Sequence, residues 1–354
     1  MLERRRTLKS GKIWIGYYYN GRDENNRRIE IPLGTDLNEA KRKWAEFDCK
    51  PVPAEVGTMR IIFDRYEKEV IPTKSRSTQK NNGWELARLR AIFDSAPIDQ
   101  ITPQHIAQYR DARRTPAKVL KDGTIVPEKL SPVSANRELA LFSHAWNFAR
   151  EWGYTSKANP CFGIRKNKEM GRSFYADDEV WNSVYTIAPT ELKDAMDLAY
   201  LTGQRVSDVL KFSFNDITND ALTLKQGKTG KLLQISLVND AGEKTELGQL
   251  IDRLKIHPIK RNSLLTTLEG KKLTKGMLRL RFNKARDEAI HMAKKNGQTD
   301  LAERIAQFQF RDSRPKAASE IKDLGDASRL LGHSDRQITK TVYRRVGERV
   351  NPTK

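Results

Sequence analysis

The amino-acid sequence predicts a multidomain protein of the α+β class. At 354 residues the chain is longer than a typical single domain, so two or three domains are expected. Residues 1–50 contain stretches of alternating apolar and polar side chains, which indicate half-buried strands, and residues 58–161 have the apolar spacing of helices. Residues 174–354 mix helical spacing with two short alternating stretches. We therefore expect a small N-terminal β-sheet plus a helix, an all-α domain, and a mainly α domain that contains a small β-sheet.

The N-terminal unit begins with two predicted strands. In KIWIGYYYNGRDENNRRIEIPLG, residues 13–17 alternate between apolar and polar, as a strand with one buried face does. Asn20-Gly21 is a favoured two-residue hairpin connection, so we predict a turn there. The alternation restarts over residues 29–31 and predicts the following strand.

A helix and a basic surface complete this unit. Thr35 or Asp36 is the expected N-cap, and the apolar helix face that follows comprises Leu37, Ala40, Trp44 and Phe47. So small a unit is expected to act through its surface. The basic arm and sheet would bind in a DNA groove, or the unit would be an interaction module with a solvated tail. The basic residues are Arg4, Arg5, Arg6, Lys9, Lys12, Arg27 and Arg28. The proline-containing stretch over residues 49–57 predicts a linker.

Residues 58–161 are predicted to fold as helices. Leu86, Leu89 and Phe93 fall on one helix face. Thr102-Pro103 and Ser131-Pro132 each place a proline at a first helical position, where its missing N–H costs nothing. Between these helices, the turn sequence Lys-Asp-Gly at residues 121–123 indicates a short hairpin insertion. Candidate phosphate contacts in this domain are Lys74, Arg76, Lys80, Arg88 and Arg90.

A polar, basic stretch at residues 159–173 predicts the boundary with the third domain. Asp177 is the expected N-cap of the next helix, whose apolar stripe includes Val180, Trp181 and Val184. Another helix is predicted over residues 191–201. We find no internal repeats and no low-complexity segment.

The charge of the chain indicates a polyanionic partner. Lys and Arg total 65 against 45 Asp and Glu, a formal net charge of +20. Nucleic acid is the first candidate and an acidic membrane surface the second, and the alternative is a well-solvated basic surface. No apolar run approaches the roughly 20 residues of a membrane span. The N-terminus lacks the apolar core of a signal peptide, and two cysteines without ligand spacing suggest neither disulfides nor zinc. We expect a cytoplasmic protein.

The C-terminal half contains residues suited to phosphoryl transfer. Arg205 follows a Thr-Gly turn, and Arg314 ends the sequence Arg-Asp-Ser-Arg that starts at Arg311. Leu-Leu-Gly-His ends at His333, and Tyr343 follows ten residues later in a basic stretch. Guanidinium groups bind phosphodiester oxygens bidentately and keep their charge, and a phenol can be a covalent nucleophile. No carboxylate cluster has metal spacing, and Gly-Lys-Thr at residues 227–229 lacks the first glycine of a nucleotide-binding loop.

In their order, these pieces resemble the boxes of the tyrosine recombinases, the phage integrase family. TGQRVSDVLKF, residues 202–212, resembles the first box, and the stretch from Arg314 to Tyr343 resembles the second. LTLKQGKTGKLLQI, residues 222–235, supplies Lys228 between two alternating strands, where the family carries a lysine on a β-hairpin. The resemblance implies that Arg205 and Arg314 bind the scissile phosphate, that Lys228 protonates the leaving 5′ oxygen, and that Tyr343 is the nucleophile. His333 is expected to face the phosphate. Asp208 lies one helical turn after Arg205, so its carboxylate would be able to orient the Arg205 guanidinium.

Two site assignments remain open at this point. The family usually has histidine where this chain has Arg311, and arginine cannot shuttle protons because its pKa exceeds about 12. We predict that Arg311 is a third phosphate-binding or positioning cation, and that Tyr343 is deprotonated by other means. Lys225 and Lys231 flank Lys228 closely enough to replace it as the catalytic lysine.

The resemblance implies a site-specific DNA recombinase, a phage or prophage integrase with no cofactor and no metal. Its domains would be an arm-site DNA-binding domain at residues 1–50, a core-binding domain at residues 58–161 and a catalytic domain at residues 174–354 with the tyrosine recombinase fold. The expected partners are double-stranded DNA at attachment sites and a homotetramer on that DNA, with DNA-bending and excision factors as further candidates and no membrane. The alternatives are a type IB topoisomerase-like enzyme and a non-catalytic DNA-binding protein derived from an integrase.

Overall fold

The computed structural model describes residues 2–8, 11, 13–22, 27–37, 39–40, 43–44, 57–120, 123–256 and 261–347. The chain divides into two compact units, Met1–Met170 and Gly171–Lys354. No helix within the described ranges is both long and apolar enough to cross a membrane.

The first unit opens with a three-stranded antiparallel sheet. Its strands are β1 (Leu2–Thr7), β2 (Ile13–Arg22) and β3 (Arg28–Gly34), with β2 in the middle. Strand β1 was not predicted, because its Arg-rich sequence shows no apolar alternation. Its residues nevertheless pair one by one with β2, from Leu2 opposite Tyr18 to Thr7 opposite Ile13.

The predicted turn at Asn20-Gly21 is wrong. Both residues lie inside β2, where Asn20 pairs with Glu30 and Gly21 pairs with Ile29. A longer ladder satisfies more backbone N–H and C=O groups than a turn at this position, so cross-strand pairing overrides the local turn preference.

The predicted helix after the sheet is present in the described residues. Asp36 is its cap, because its Oδ1 accepts the backbone N–H of Glu39 at 2.8 Å. Ala40 is buried with Tyr17 and Leu33 in a small core, whereas Leu37 is 40% exposed and does not belong to the buried face. Phe47 and residues 49–56 of the predicted linker lie outside the described residues.

Four α-helices follow in the first unit: α1 (Met59–Arg65), α2 (Arg76–Phe93), α3 (Pro103–Ala112) and α4 (Pro132–Glu151). A π-helical turn at Tyr66–Val70 and a 3₁₀ turn at Ile71–Thr73 connect α1 to α2. Leu86, Leu89 and Phe93 are buried, as the helical spacing predicts. The predicted proline starts are also confirmed, because Pro103 and Pro132 are the first residues of α3 and α4.

The predicted hairpin insertion between α3 and α4 is confirmed. Strand β4 (Arg114–Thr115) pairs with β7 (Lys129–Leu130), and β5 (Lys118–Val119) pairs with β6 (Ile125–Val126). Lys121 and Asp122 of the expected turn lie outside the described residues.

The second unit is mainly helical. Its helices are α5 (Asp178–Ile187), α6 (Thr190–Thr202), α7 (Val206–Val209), α8 (Glu246–Lys255), α9 (Lys275–Lys295), α10 (Thr299–Gln307), α11 (Ser313–Glu320), α12 (Leu324–Leu331) and α13 (Arg336–Ile338), which runs into a π-helical turn at Thr339–Tyr343. A 3₁₀ turn at Phe310–Asp312 leads into α11. Strands β8 (Ile217–Thr218), β9 (Ala221–Lys225) and β10 (Leu232–Ser236) form an antiparallel sheet in the order β10-β9-β8.

Local signals in this unit act where they are predicted. Asp177 caps α5 by accepting the N–H of Val180 at 2.9 Å. The hairpin predicted around Lys228 is formed by β9 and β10, with Lys225 paired to Leu232 at its end. Beneath these elements lies one continuous apolar core, in which Phe308 packs against Trp181 and Phe282. This core supports the segment from Phe310 onward, which carries the predicted site.

Candidate active site

The turn that presents Arg205 depends on a glycine. Gly203 ends α6 in the left-handed conformation, with φ +60°, and Arg205 then takes the N-cap position of α7. A Cβ atom at position 203 would lie 3.2 Å from the side chain of Leu331 and 3.3 Å from that of Leu330. The predicted arginine at a helix start is therefore confirmed, and its turn packs directly on the Leu-Leu-Gly-His segment.

Arg314 joins the two predicted boxes. Its side chain, on α11, is 4% exposed and donates to the Gly203 carbonyl at 2.6 Å and to the Leu331 carbonyl at 2.8 Å. The same guanidinium lies 3.0 Å from Nε2 of His333. These bonds bring together segments that are 111 and 17 residues away from Arg314 in the sequence.

His333 is held by bonds on both ring nitrogens. Gly332 ends α12 with φ +70° and turns the chain toward the site. The His333 Nδ1 atom lies 2.8 Å from Oγ1 of Thr339, a buried residue. Because arginine can only donate, Nε2 must accept from Arg314, and Nδ1 then carries the proton and donates to Thr339.

Tyr343 lies beside both groups within the same chain. The Arg314 Cζ atom is 5.0 Å from the centroid of the Tyr343 ring, and the His333 ring centroid is 4.8 Å from it. The tyrosine ends the π-helical turn Thr339–Tyr343. Arg314, His333 and Tyr343, all predicted from sequence, therefore form one contiguous cluster.

Burial and the cluster's own charges shift the pKa values of these groups. Burial lowers the pKa of Arg314 to about 10, and nearby Arg205 also lowers this pKa, while Tyr343 and Asp208 act in the opposite direction. Burial lowers the pKa of His333 to about 4, and Arg314, Arg205 and Lys231 lower it further. His333 is therefore neutral near pH 7 in this arrangement.

In the cluster and the adjacent Arg205, two buried guanidinium nitrogens have no hydrogen-bond partner among the described residues. Nη1 of Arg205 and Nε of Arg314 are both inaccessible to solvent and without a hydrogen-bond acceptor among the described residues. Unpaired buried donors of this kind are costly unless a ligand accepts from them. An anionic oxygen seated between Arg205 and Arg314 would satisfy both.

The three lysines of the β9–β10 hairpin take different positions. Lys228 is exposed in the turn between the strands, and Lys225 is the exposed last residue of β9. Lys231 is exposed as well, yet it is the hairpin lysine whose charge acts on the pKa of His333. In this arrangement Lys231 therefore interacts with the cluster more strongly than Lys228 does.

Arg311 does not join the cluster. It lies in the 3₁₀ turn Phe310–Asp312 with an exposed side chain, and it makes no hydrogen bond or ion pair with any residue that the structure describes.

The expected pairing of Asp208 with Arg205 is wrong for this structure. Asp208 is 3% exposed, and its Oδ1 accepts the backbone N–H of Gly227 at 3.0 Å, while no ion pair links it to Arg205. The expectation considered only neighbours along one helix turn, but packing of the hairpin brings a nearer donor. Asp208 thus ties α7 to the turn that carries Lys228.

Two candidate phosphate contacts in the first unit are occupied by protein partners. Lys74 donates to the Tyr66 hydroxyl at 2.6 Å and to Asn82 Oδ1 at 2.9 Å. Arg90 forms ion pairs with Asp64, Glu67 and Asp94. The remaining candidates, Arg76, Lys80 and Arg88, are exposed.

The polar side chains that hold the cluster in place are not predicted by any motif in the sequence. Gln204 and Gln226 link the hairpin to the Leu-Leu-Gly-His turn, and buried Asp312 binds Arg345 beyond the tyrosine. The available signal was that each of these polar residues lies close in the sequence to a predicted site residue. This position does not identify the hydrogen-bond or ion-pair partner of the polar residue. Among the described residues, no group of three or more His, Cys, Asp or Glu side chains is placed to hold a metal ion.

Comparisons with known proteins identify relatives of this chain. Residues 177–349 match the model of the Phage integrase family. The chain is 40% identical to the integrase of Escherichia phage HK022 over 61% of this chain and 58% of the relative. It is 28% identical to the integrase of Escherichia phage lambda over 62% of each chain. The chain therefore spans about three fifths of the length of these curated relatives.

Solved structures of lambda integrase share the fold. A lambda integrase tetramer bound to a Holliday junction matches with a TM-score of 0.63 at 21% identity, covering 95% of both chains. A lambda integrase dimer bound to a COC′ core site also matches with a TM-score of 0.63 at 20% identity, covering 99% of this chain and 97% of that one. The predicted multidomain α+β fold of the tyrosine recombinases is confirmed.

Proposed function

We propose that this chain, which belongs to the phage integrase family, is a site-specific DNA recombinase that cuts and rejoins DNA through a 3′-phosphotyrosyl intermediate. The observation that carries the proposal is the cluster of Arg314, His333 and Tyr343, with the guanidinium carbon 5.0 Å from the tyrosine ring. A phenol beside buried cations is suited to attack a phosphodiester, because the cations stabilise both the phenolate and the charge that develops on phosphorus-bound oxygens.

The two arginines would clamp the scissile phosphate. Arg205 Nη1 and Arg314 Nε are buried donors without acceptors, and the nonbridging oxygens of a phosphodiester are matched acceptors. Removing one donor of this kind costs on the order of 10²–10³ in rate. His333 lies against Arg314 and, once protonated at Nε2, would donate to a phosphate oxygen.

The chemical step conserves the energy of the broken bond. The Tyr343 oxygen forms a bond to phosphorus and releases its proton to solvent water, and the bond from phosphorus to the 5′ oxygen breaks. The leaving oxygen takes the electron pair and a proton from Lys228. A 5′ hydroxyl of the partner duplex then reverses the step, so the reaction needs neither a nucleoside triphosphate nor a metal as fuel.

The assignment of Lys228 rests on its position in the turn. An exposed side chain at a hairpin end is free to enter a DNA groove, whereas Lys225 is the last residue of a paired strand. Lys231 is the alternative, because its charge already acts on His333. Arg311 is exposed and without a partner among the described residues, which suits a third phosphate contact rather than a structural role.

The proposed partners are double-stranded DNA at attachment sites and three further copies of the chain. The related lambda integrase is known as a tetramer bound to a Holliday junction, and joining two duplexes requires four cleavages. Residues 1–50 would bind arm sites, residues 58–161 would bind the core site, and residues 174–354 would carry the chemistry. DNA-bending and excision factors would assist, and the host cytoplasm is the expected location.

A nicked suicide duplex tests the proposal. Its sequence is taken from the genomic junctions beside the encoding element, and cleavage releases a short strand that traps the covalent adduct. The full-length chain should form an adduct that resists denaturation, and Tyr343→Phe should abolish the adduct while DNA binding persists.

Three results would contradict the proposal. Adduct formation by Tyr343→Phe would exclude Tyr343 as the nucleophile. A mobility shift without any adduct in the wild-type chain would favour the non-catalytic DNA-binding protein. Relaxation of supercoiled plasmid without strand exchange between two sites would indicate a topoisomerase-like enzyme instead.

A further inference from the structure

Two buried glutamines connect three segments that carry site residues. Gln204 directly precedes Arg205, and Gln226 lies two residues before Lys228. The third segment is the end of α12, where Leu330 and Leu331 precede His333. Gln204 is 2% exposed and Gln226 is 1% exposed, so neither amide can rely on solvent for its hydrogen bonds.

Every hydrogen of the two amide groups has an acceptor. Gln226 Nε2 donates to the Leu331 carbonyl at 2.9 Å and to Gln204 Oε1 at 2.7 Å. Gln204 Nε2 donates to the Thr202 carbonyl at 2.9 Å and to the Leu330 carbonyl at 2.7 Å. Because a flipped amide would face these acceptors with its own oxygen, the network specifies one orientation for each side chain.

The network extends to both neighbours of Lys228 in the chain. On one side, Thr229 Oγ1 donates to Gln226 Oε1 at 2.6 Å. On the other side, the N–H of Gly227 donates to Asp208 Oδ1 at 3.0 Å. The backbone around Lys228 is therefore anchored to the site, although the lysine side chain itself is exposed.

Gly332 shows how closely the amide fits against the His333 turn. A Cβ atom at position 332 would lie 2.7 Å from Gln226 Nε2, so any other residue would displace the amide. The hairpin turn and the turn before His333 thus meet at the Gln226 amide.

We propose that Gln226, together with Gln204 and Thr229, is a positioning residue that holds the hairpin turn so that the Lys228 ammonium reaches the leaving 5′ oxygen. This inference rests on the proposed strand cleavage. In that step the ammonium gives its proton to the departing oxygen and becomes a neutral amine. Loosening the turn therefore impairs protonation of the leaving group and leaves DNA binding and the Arg314–Tyr343 contact in place.

A sulfur-bridged substrate isolates this effect. In a suicide duplex whose scissile 5′ bridging oxygen is replaced by sulfur, the leaving thiolate needs no proton, because a thiol has a pKa of about 8.5. Full-length variants are assayed for single-turnover cleavage on the oxygen and sulfur duplexes, and for DNA binding. On the oxygen duplex, Lys228→Ala should lose on the order of 10²–10⁴ in rate, and Gln226→Ala about 10- to 100-fold. Both should return to near the wild-type rate on the sulfur duplex.

Matched variants separate positioning from general damage. Gln234→Ala changes an exposed glutamine on β10 of the same hairpin and should cleave both duplexes like the wild type. Thr229→Val removes the donor to Gln226 and should behave like Gln226→Ala. Thr229→Ser keeps the hydroxyl and should restore cleavage of the oxygen duplex.

Each failure has a distinct meaning. Equal loss by Gln226→Ala on both duplexes, or no loss on either, would overturn the positioning role. Lack of sulfur rescue for Lys228→Ala, with rescue for Lys231→Ala, would refute the assignment of Lys228 as the acid and, with it, the claim that Gln226 positions this lysine. Absence of cleavage of either duplex by the wild-type chain would refute the proposed function itself.

Discussion

His333 has a defined tautomer in this structure because its two neighbours differ in chemistry. Arg314 can only donate, so Nε2 accepts, and Nδ1–H donates to the Thr339 hydroxyl at 2.8 Å. The sequence motif predicts the histidine but not its protonation. Burial lowers the pKa of His333 to about 4, and the charge of Arg314 lowers it further because protonation would place a second cation against that guanidinium.

This lowered pKa predicts a pH dependence of stability. An ordinary histidine titrates near 6.5, so between pH 6.5 and about 4 the unfolded chain binds more protons at His333 than the folded chain. The free energy of unfolding should therefore decrease as the pH falls through that window. Hydrogen exchange of the α11 and α12 amides at pH 7 and pH 5 measures it, and His333→Asn should lose less protection on acidification than the wild type.

A control comes from His291, which is exposed on α9. His291→Asn should show the wild-type dependence in α11 and α12. If His333→Asn and the wild type lose protection equally between the two pH values, His333 is not the titrating group.

The segment after Tyr343 is anchored to α11 and to the start of the second unit. Arg345 forms an ion pair with Asp312 at 3.0 Å and also donates to the Phe174 carbonyl, and its backbone N–H donates to the Ser319 hydroxyl at 2.9 Å. Asp312, 1% exposed, also pairs with Arg172 at 2.7 Å. These contacts place the tyrosine beside its own chain's Arg314.

Asp312→Asn should release this anchor. The change leaves Arg345 without its buried carboxylate, and we expect a loss of about 3 kcal/mol in the stability of the docked segment, since breaking a buried pair costs roughly 3–5 kcal/mol. Trypsin should then cut after Arg344 or Arg345 faster than in the wild type. Adduct formation should fall while DNA binding is retained.

The matched control is Asp326→Asn, which removes an exposed ion pair to Arg329 on α12. It should leave both the trypsin sensitivity and adduct formation at wild-type levels, because surface pairs contribute little. Unchanged proteolysis of Asp312→Asn would mean that Arg345 is held by its backbone contacts alone.

For the whole molecule, the net charge of +20 overstates the surface available to DNA. Lys74 and Arg90 are occupied by neighbouring side chains, and so are Arg172 and Arg345 in the second unit. Lys80, in contrast, is exposed on α2, with its ammonium over the Trp84 ring. Counting basic residues in the sequence cannot separate these two groups, because carboxylate partners are brought near by folding.

We expect DNA binding to weaken strongly as the salt concentration rises. The slope of this dependence should distinguish exposed Lys80 from basic residues that are occupied by neighbouring side chains. A protein with six or more phosphate contacts loses on the order of 10³ or more in affinity between 50 and 200 mM salt. Fluorescence anisotropy with a duplex of the junction sequence measures the slope. Lys80→Gln should reduce it by about 1, and Arg90→Gln, whose charge is paired internally, should leave it unchanged. Equal slopes for both variants and the wild type would exclude Lys80 from the interface.

Local signals explain which parts of the fold could be predicted. Asp177 caps its helix, Gly203 and Gly332 end theirs, and the β9–β10 hairpin forms where the alternation predicts it, because these preferences act within a few residues. The turn predicted at Asn20-Gly21 failed for the complementary reason. There, the β2–β3 ladder continues through Asn20 and Gly21 and outweighs the local turn preference of these two residues.

By itself, the sequence determined which chemical groups are present, in what order, and on which turns they sit: two arginines, a histidine after a helix-ending glycine, and a tyrosine. Only the tertiary structure decided which of them meet and what each one binds. Arg314 reaches Gly203 across 111 residues, Asp208 binds the hairpin instead of Arg205, and Gln226 holds the turn against Leu331. The physical reason is that helix and turn preferences act over a few residues, whereas hydrogen-bond and ion-pair partners are chosen by the packing of the whole core.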